Sequence, residues 1–333
     1  MLRIIACMLL VGLPGCSDNA EEWLRLNGST MGTVYHITAR CSAGTVLQSA
    51  VDRELEWVNS LMSTYISDSS LSRFNAAAID TWIPVEQELL DVVDAAIDLS
   101  RTTEGAYDIT VGPLVNLWGF GAPGNRSGKQ PEATEIRKAL QRVGYSMLET
   151  RMQPSMLRKH GNVYVDLSSI AKGYGVDRIA ELLTKKECAN YLVDIGGEVR
   201  TLGFSPRSRS WRIGLEVPEA ESFGAINRII ELPDVAVATS GDYRNFVEWD
   251  GITYSHIIDP RTGYPVSHSL ASVTVIHSST MQADAIATLL TVLGPDAGWQ
   301  YAQKHNLAVL FVWRSETGFE QRHTPSFSVY LVE

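Results

Sequence analysis

One segment, with the sequence SHIIDPRTGYP at residues 255–265, restricts the local fold more than any other part of the chain. Its isoleucine pair predicts a strand over 253–258. Asp259-Pro260 and then Thr262-Gly263 predict that the strand stops at a tight turn, because Asp-Pro initiates turns and glycine tolerates positive φ. The segment also brings together a histidine, an aspartate and an arginine, which suit proton transfer and phosphate binding. Polar loops that follow buried strands are frequent active-site positions.

Apolar residues recur elsewhere at spacings of three and four, which is the spacing of one helix face. In the first such segment the face carries Leu47, Val51 and Leu55. Ser168 or Ser169 is predicted to cap the fourth helix, and Ser279 with Gln282 forms a capping box at the fifth. The predicted helices cover 45–62, 86–101, 132–143, 170–184, 280–293 and 295–304.

Strands alternate with these helices without a regular βαβ rhythm, which predicts an α+β fold with mixed sheets and packed helices. The first strand region is predicted as a strand or hairpin broken by the GSTMGT sequence at 28–33. The predicted strands cover 24–40, 162–167, 190–195, 211–217, 227–232, 246–249, 253–258, 270–277, 307–313 and 326–332.

The N-terminus reads as a targeting signal. Arg3 precedes a short apolar core over 4–13, which is too short to span a bilayer, and Cys16 follows directly. This order resembles a bacterial lipobox, so residues 1–15 are predicted to be removed and Cys16 to be lipidated. The mature chain, 16–333, would then be one domain, in one or two subdomains, anchored on the periplasmic side of the inner or outer membrane. The alternative is an ordinary secretory signal that contains a cysteine.

Composition excludes several classes of protein. The mature chain keeps 27 basic against 38 acidic residues, whereas a nucleic-acid binder presents a basic surface. We therefore expect no nucleic-acid partner. Cys41 and Cys188 are too few for a disulfide framework, although one bridge is compatible with an oxidising compartment. The sequence contains neither a CxxC nor an HExxH motif, which argues against a zinc site.

Two further segments carry chemical groups. Asp166 ends a predicted strand, and Lys172 lies in the first turn of the helix that follows, where free N–H groups suit an anion. Asp284 and Thr288 lie four residues apart on one helix face, and their oxygen atoms suit a hard cation such as Mg²⁺. The alternatives are a surface lysine on a capped helix, and an Asp284 that serves only the helix start.

Taken together, the ordered motifs resemble the FAD:protein FMN transferases of the ApbE type, over nearly the whole mature chain. They are GSTMGT at 28–33, MSTY at 62–65, GAYDITVGPLVNLWGFG at 105–121, VDLSSIAKGYGVD at 165–177, DIGGE at 194–198, TSGDYRNF at 239–246, SHIIDPRTGYP at 255–265 and ADAIAT at 283–288.

The resemblance implies a specific reaction and a specific site. Such enzymes bind FAD with Mg²⁺, attach its FMN half to a Thr or Ser hydroxyl of a target flavoprotein, and release AMP. His256 would lie at the reaction centre, where the ordinary pKa of histidine suits a general base. Mg²⁺ would be held by Ser169 (through its backbone oxygen), Asp284 and Thr288. The residues implied in FAD binding are Met31, Tyr65, Ala106, Tyr107, Asp108, Asp166, Lys172 and Ile258.

This chain departs from some family members at two positions. Ala287 stands where some members have a second aspartate, and Lys172 where some have glutamate. A lysine can bind a phosphate but cannot bind a metal ion. Two other functions remain open: hydrolysis of FAD to FMN and AMP, with water as the acceptor, and a lipid-anchored FAD carrier without catalysis.

Overall fold

A computed structural model describes residues 21–42, 47–121, 130–216, 226–241, 246–249, 252–316 and 318–332. The helices are α1 (Gln48–Met62), α2 (Ser70–Ala76), α3 (Gln87–Thr102), α4 (Gly112–Leu117), α5 (Ala133–Leu140), α6 (Ala171–Lys185) and α7 (Thr280–Lys304). The strands are β1 (Glu21–Thr30), β2 (Thr33–Ser42), β3 (Ile83–Pro84), β4 (Leu148–Met152), β5 (Ser155–Lys159), β6 (Asn190–Ile195), β7 (Glu198–Leu202), β8 (Trp211–Glu216), β9 (Ile226–Leu232), β10 (Ala236–Gly241), β11 (Phe246–Trp249), β12 (Ile252–Ser255), β13 (Leu270–His277), β14 (Ala308–Ser315) and β15 (Gly318–His323).

An antiparallel sheet of eight strands forms the centre of the fold, in the order β1-β2-β6-β7-β10-β13-β14-β15. Helices α6 and α7 pack on one face of this sheet, α6 against β6 and β7, and α7 against β10 and β13. The other face is covered by the β8–β9 ribbon and by a 3₁₀ helix, Pro325–Tyr330. The architecture confirms the α+β prediction.

The predicted helices are present, with ends that shift by a few residues. The segments 280–293 and 295–304 form one helix, α7, which bends where Gly294 takes a φ of 77° before Pro295. At its start the Ser279 hydroxyl accepts a hydrogen bond from the Gln282 N–H, as the capping box predicts. The amphipathic spacing of these segments was sufficient to place them because one face of each packs on the core.

Three predicted strands are wrong in part or in full. Residues 326–332 form mainly the 3₁₀ helix, in which Phe327 is fully buried and Val329 is 78% exposed, so alternation does not hold there. Strand β12 ends at Ser255 and not at 258, and only Ile258 makes an isolated bridge beyond it. The 162–167 segment has a single bridge, from Tyr164 to Val111.

A disulfide joins the second strand to the segment that follows α6. Cys41 on β2 and Cys188 are both buried, and their sulfur atoms are bonded. The bridge spans 147 residues, so it constrains a long loop of the unfolded chain.

Among the residues that the structure describes, none of the helices has both the length and the apolar character needed to cross a bilayer.

Candidate active site

The site lies where α6 begins, against the first turns of α7. The two helices approach closely because Gly173 has no side chain: a Cβ there would lie 2.4 Å from the Thr280 carbonyl oxygen. One turn further along α6, Asp177 accepts hydrogen bonds from the backbone N–H groups of Thr280 and Met281, at 2.9 and 3.0 Å. These contacts fix α7 so that its next buried polar residue, Asp284, faces the start of α6.

Two carboxylates and one ammonium meet at this point. Asp284 is 5% exposed, and its Oδ2 accepts a hydrogen bond of 3.0 Å from the Gly173 N–H. The Lys172 Nζ lies 3.7 Å from the Asp284 Oδ1 and donates a hydrogen bond of 2.6 Å to the Glu198 Oε1. Glu198 is 4% exposed and starts β7, directly after the turn at Gly196 and Gly197. The group carries two negative charges and one positive charge when all three residues are ionised.

Burial and charge act in opposite directions on these groups. Burial alone would lower the pKa of Lys172, but the charges of Asp284 and Glu198 raise this pKa above its ordinary value. Burial raises the pKa of Glu198, aided by the charge of Asp284 and opposed by Lys172. Lys172 is therefore held as an ammonium.

The predicted caps of α6, Ser168 and Ser169, are not its caps. The N-cap is Ile170, which offers no side-chain acceptor, and the chain turns instead where the Asp166 Oδ1 accepts from the Ser168 N–H. The Ser169 hydroxyl lies 2.9 Å from the Tyr107 hydroxyl. Burial raises the pKa of Tyr107, and the charges of Asp284, Asp108 and Asp166 raise it further.

The turn before α4 holds the other candidates from the 105–108 segment. Ala106, Tyr107 and Asp108 are all buried. The Asp108 carboxylate is occupied by the protein, because it accepts hydrogen bonds from the Thr110 N–H and hydroxyl and from the Tyr145 N–H. Burial raises its pKa, and these hydrogen bonds oppose that shift. Three acceptor positions of this carboxylate are therefore taken by the protein.

Met31 and Tyr65 lie on two loops near α6. Met31 occupies the β1–β2 turn with a φ of 50°, and a Cβ on Gly175 of α6 would lie 2.9 Å from its side-chain Cε. Tyr65 follows α1 and is 64% exposed, so most of its surface faces solvent. Burial raises the pKa of Tyr164, and electrostatic interactions with Asp166 and Tyr65 raise it further. The three residues are therefore neighbours.

His256 and Ile258 belong to a second group, packed on α4. The His256 ring lies edge-on to the Phe120 ring, with 6.3 Å between their centroids. Ile258 is buried with Trp118, whose indole N–H donates to the Gly263 carbonyl oxygen. The segment from Asp108 through α4 connects this group to the residues at the start of α6. The connection is the hydrogen bond that the Asp166 N–H, just before α6, donates to the Ile109 carbonyl oxygen.

The predicted turn exists, but two of its polar groups are engaged with each other. The Gly263 N–H donates to the Asp259 carbonyl oxygen, and Gly263 has the expected positive φ, 80°. The Arg261 guanidinium binds both carboxylate oxygens of Asp259, each at 2.9 Å. Asp259 and Arg261 therefore shape the turn, and His256 is the candidate of this segment for proton transfer.

Asp284 supplies a buried carboxylate, which suits a hard cation such as Mg²⁺. Within the described parts of the chain, His, Cys, Asp and Glu side chains form no cluster of three that could hold a metal. The predicted ligands of such a cation are the Asp284 carboxylate, the Thr288 hydroxyl one turn along α7 and the Ser169 backbone oxygen. Mg²⁺ accepts such a set, because it keeps several water or phosphate ligands.

Glu198 is the site residue that sequence reasoning did not select. The available signals were its position after a glycine pair that follows an apolar strand, and its place at the end of the DIGGE motif. Two other predictions, Cys16 and the removal of residues 1–15, lie outside the described residues.

Comparison with known proteins identifies the family. The ApbE family model matches residues 31–311. The FAD:protein FMN transferase of Vibrio cholerae is 42% identical over 98% of both chains, and that of Escherichia coli K12 is 35% identical over 94% of this chain and 91% of its own. The solved flavin transferase ApbE from V. cholerae covers 94% of this chain and 100% of its own, with a TM-score of 0.86. The apo flavinyl transferase ApbE of Pseudomonas stutzeri is 37% identical, covers 93% of this chain and 97% of its own, and has a TM-score of 0.84. The chain therefore belongs to the ApbE family of FAD:protein FMN transferases.

Proposed function

We propose that this enzyme works with Mg²⁺ and attaches the FMN half of FAD to a Thr or Ser hydroxyl of a target flavoprotein, releasing AMP. One observation carries the proposal beyond family membership. A buried aspartate, Asp284, is held at the start of α6 beside a lysine ammonium, so a cation-binding and an anion-binding group face the same point. That pair suits a diphosphate and its metal ion.

The reaction forms one bond to phosphorus and breaks another. The acceptor hydroxyl oxygen attacks the phosphorus of the FMN half, and the P–O bond that joins this phosphorus to the AMP half breaks. AMP leaves with the electron pair of that bond. His256 accepts the hydroxyl proton, which gives the oxygen its nucleophilic character.

The charged residues at the start of α6, which are Lys172, Glu198 and Asp284, bind and orient the diphosphate. The Lys172 ammonium offsets phosphate charge, and the Glu198 carboxylate fixes its position. Asp284, Thr288 and the Ser169 backbone oxygen would hold Mg²⁺, which stabilises negative charge on the departing phosphate when it is bound. Because the protein is acidic overall, with a net charge of −10, such local positive charge is needed to bind an anionic substrate.

Mass spectrometry distinguishes this reaction from its alternatives. The purified protein is incubated with FAD, Mg²⁺ and a flavoprotein domain that carries a candidate acceptor threonine. Transfer adds the mass of FMN less water to the domain and releases one AMP. Release of FMN and AMP with an unmodified domain would indicate a hydrolase instead. Intact FAD retained by the protein would indicate a carrier.

Tyr65→Ala is expected to weaken FAD binding. The exposed Tyr65 ring would stack on a planar ring of FAD, and loss of an aromatic pair costs about 1 kcal/mol. The affinity should therefore fall by about fivefold or more in a flavin-fluorescence titration, while Tyr65→Phe should keep it. Phe204→Ala removes another exposed ring, at 60% exposure, and is the matched control. Wild-type affinity of Tyr65→Ala would reject the assignment.

We also propose that the mature protein is anchored by lipid on the periplasmic side of the membrane. The short apolar core that ends at Cys16 supports this proposal. The buried Cys41–Cys188 disulfide supports the periplasmic location, because such bonds persist in oxidising compartments.

Cys16→Ala is expected to release the enzyme from the membrane. The variant loses the thiol that carries the lipid, and the rest of the chain is unchanged. The protein should move from the membrane fraction to the soluble periplasmic fraction, as followed by immunoblotting after cell fractionation. Cys7→Ala changes the other signal-region cysteine and should leave the protein at the membrane. If Cys16→Ala stays in the membrane fraction, the lipid-anchor proposal fails.

A further inference from the structure

In the proposed reaction Glu198 only holds Lys172 in place, yet its carboxylate is buried at the centre of the site. One of its oxygens, Oε1, accepts the 2.6 Å hydrogen bond from Lys172. The other, Oε2, is buried and has no hydrogen-bond partner among the described residues. A buried carboxylate with one unsatisfied oxygen is costly, so its presence requires a specific compensation.

The distances around Lys172 indicate what Glu198 does. The ammonium lies 2.6 Å from Glu198 but 3.7 Å from Asp284, so it is hydrogen-bonded to the first carboxylate and only near the second. A lysine side chain has a flexible stem and can move between acceptors that are this close. Without Glu198, the nearby charged acceptor on Asp284 would attract the ammonium. An ammonium bound directly to Asp284 would compete with any cation for the same oxygen.

We propose that Glu198 is a positioning residue that draws the Lys172 ammonium away from Asp284 and so keeps the Asp284 carboxylate open to the divalent cation. The inference rests on the metal site of the proposed function and adds a role for a residue outside that ligand set. It also explains how a lysine and a metal ligand coexist 3.7 Å apart. The ammonium then lies beside the cation, where both can meet one diphosphate.

A suppressor experiment tests this role on the whole protein, with Mn²⁺ alone as the probe and isothermal titration calorimetry as the measurement. Glu198→Gln keeps the shape of the side chain but not its charge, so Lys172 should shift to Asp284. Mn²⁺ affinity should fall by about 10-fold or more, the usual range for groups that orient metal ligands. In the double variant Glu198→Gln with Lys172→Gln the competing ammonium is absent. Its affinity should return to within about threefold of that of Lys172→Gln alone.

Other outcomes would overturn the proposal. Wild-type Mn²⁺ affinity in Glu198→Gln would show that Glu198 does not act on the site. A double variant as weak as Glu198→Gln would show that Glu198 is itself a ligand or only a structural group, since neither role depends on Lys172. Glu231→Gln, which breaks an exposed ion pair with Arg212, is the control for loss of a carboxylate.

The experiment separates this inference from the proposed function. Mn²⁺ binding is measured without FAD or acceptor, so failure of FMN transfer would leave the result intact. Asp284→Asn should abolish Mn²⁺ binding if the cation site is correct. If Asp284→Asn still binds Mn²⁺, the proposed metal site is wrong. If Asp284→Asn abolishes binding but Lys172→Gln does not restore the affinity lost in Glu198→Gln, only the proposed role of Glu198 is wrong.

Discussion

Asp284→Asn is expected to reduce FMN transfer by about 10³-fold or more, which corresponds to roughly 4 kcal/mol of transition-state stabilisation. The asparagine keeps the size of the side chain and an oxygen for the Gly173 N–H, but it removes the charge that would hold Mg²⁺. Because this hydrogen bond is preserved, the substitution should lower the rate of FMN transfer and leave the stability of the fold unchanged. Single-turnover transfer, measured with saturating FAD over a range of Mg²⁺ concentrations, checks this.

Two further variants separate chemistry from folding. Asp284→Ala also leaves the buried Gly173 N–H without its acceptor, so it should lower the free energy of unfolding by about 1–3 kcal/mol in addition. Asp296→Asn changes an exposed aspartate on the second half of α7 and should alter neither quantity. An Asp284→Asn variant that transfers FMN normally, or that keeps its activity after EDTA treatment, would remove Asp284 from the metal site.

The parts of the fold that the sequence predicted well are those whose pattern reflects direct packing on the core. Helices α1 and α3 have one apolar face, and that face is buried. Strand β10 was missed for the opposite reason. Its sequence AVATSG places Val and Thr among Ala, Ser and Gly, which have little β preference, but the strand lies inside the large sheet between β7 and β13 and packs under α7. Tertiary packing decides such a strand, and its local sequence does not reveal it.

The hairpin formed by β4 and β5 was missed because charge obscures its pattern. Arg151 and Arg158 both lie over the Trp82 ring, at 4.1 and 4.5 Å from its centroid, and their stems cover apolar surface that a hydrophobic residue would otherwise cover. A sequence pattern that counts arginine as polar therefore reads this hairpin as irregular. Once β4 and β5 are paired, the two arginine side chains can be recognised as a cover for the apolar surface of Trp82.

Candidate site residues such as Lys172 could be named from motifs, but the contact between Lys172 and Glu198 could not be predicted. Lys172 and Glu198 are 26 residues apart, and they meet because α6 packs across β6 and β7, which brings the start of β7 to the first turn of the helix. The prediction that Ser168 or Ser169 caps α6 was wrong, because the Asp166 carboxylate accepts the Ser168 N–H and turns the chain before the helix begins. Spacing within one element is readable from sequence, whereas contact between elements depends on the assembled sheet.

His256→Asn is expected to lower FMN transfer by about 10²–10⁴-fold, the usual contribution of a general base. The backbone around His256 is held by other bonds: Ile258 bridges to Pro265, and the Val266 N–H donates to the Ile257 carbonyl oxygen. These bonds do not involve the imidazole, so FAD and Mg²⁺ binding should persist. Single-turnover transfer at saturating FAD, flavin-fluorescence titration and thermal melting on the same variant measure the three quantities.

Melting and transfer together distinguish a base from a residue that only supports the loop. If His256 merely packs against Phe120, the variant should melt at a lower temperature and transfer FMN at a nearly normal rate. His36→Asn, which changes an exposed histidine on β2, should leave both quantities unchanged. If His256 is instead the base that takes the proton from the acceptor hydroxyl, the variant should show the opposite pattern. Melting and cofactor affinity should stay near the wild-type values while the bond-forming step slows, because only the proton acceptor has been removed.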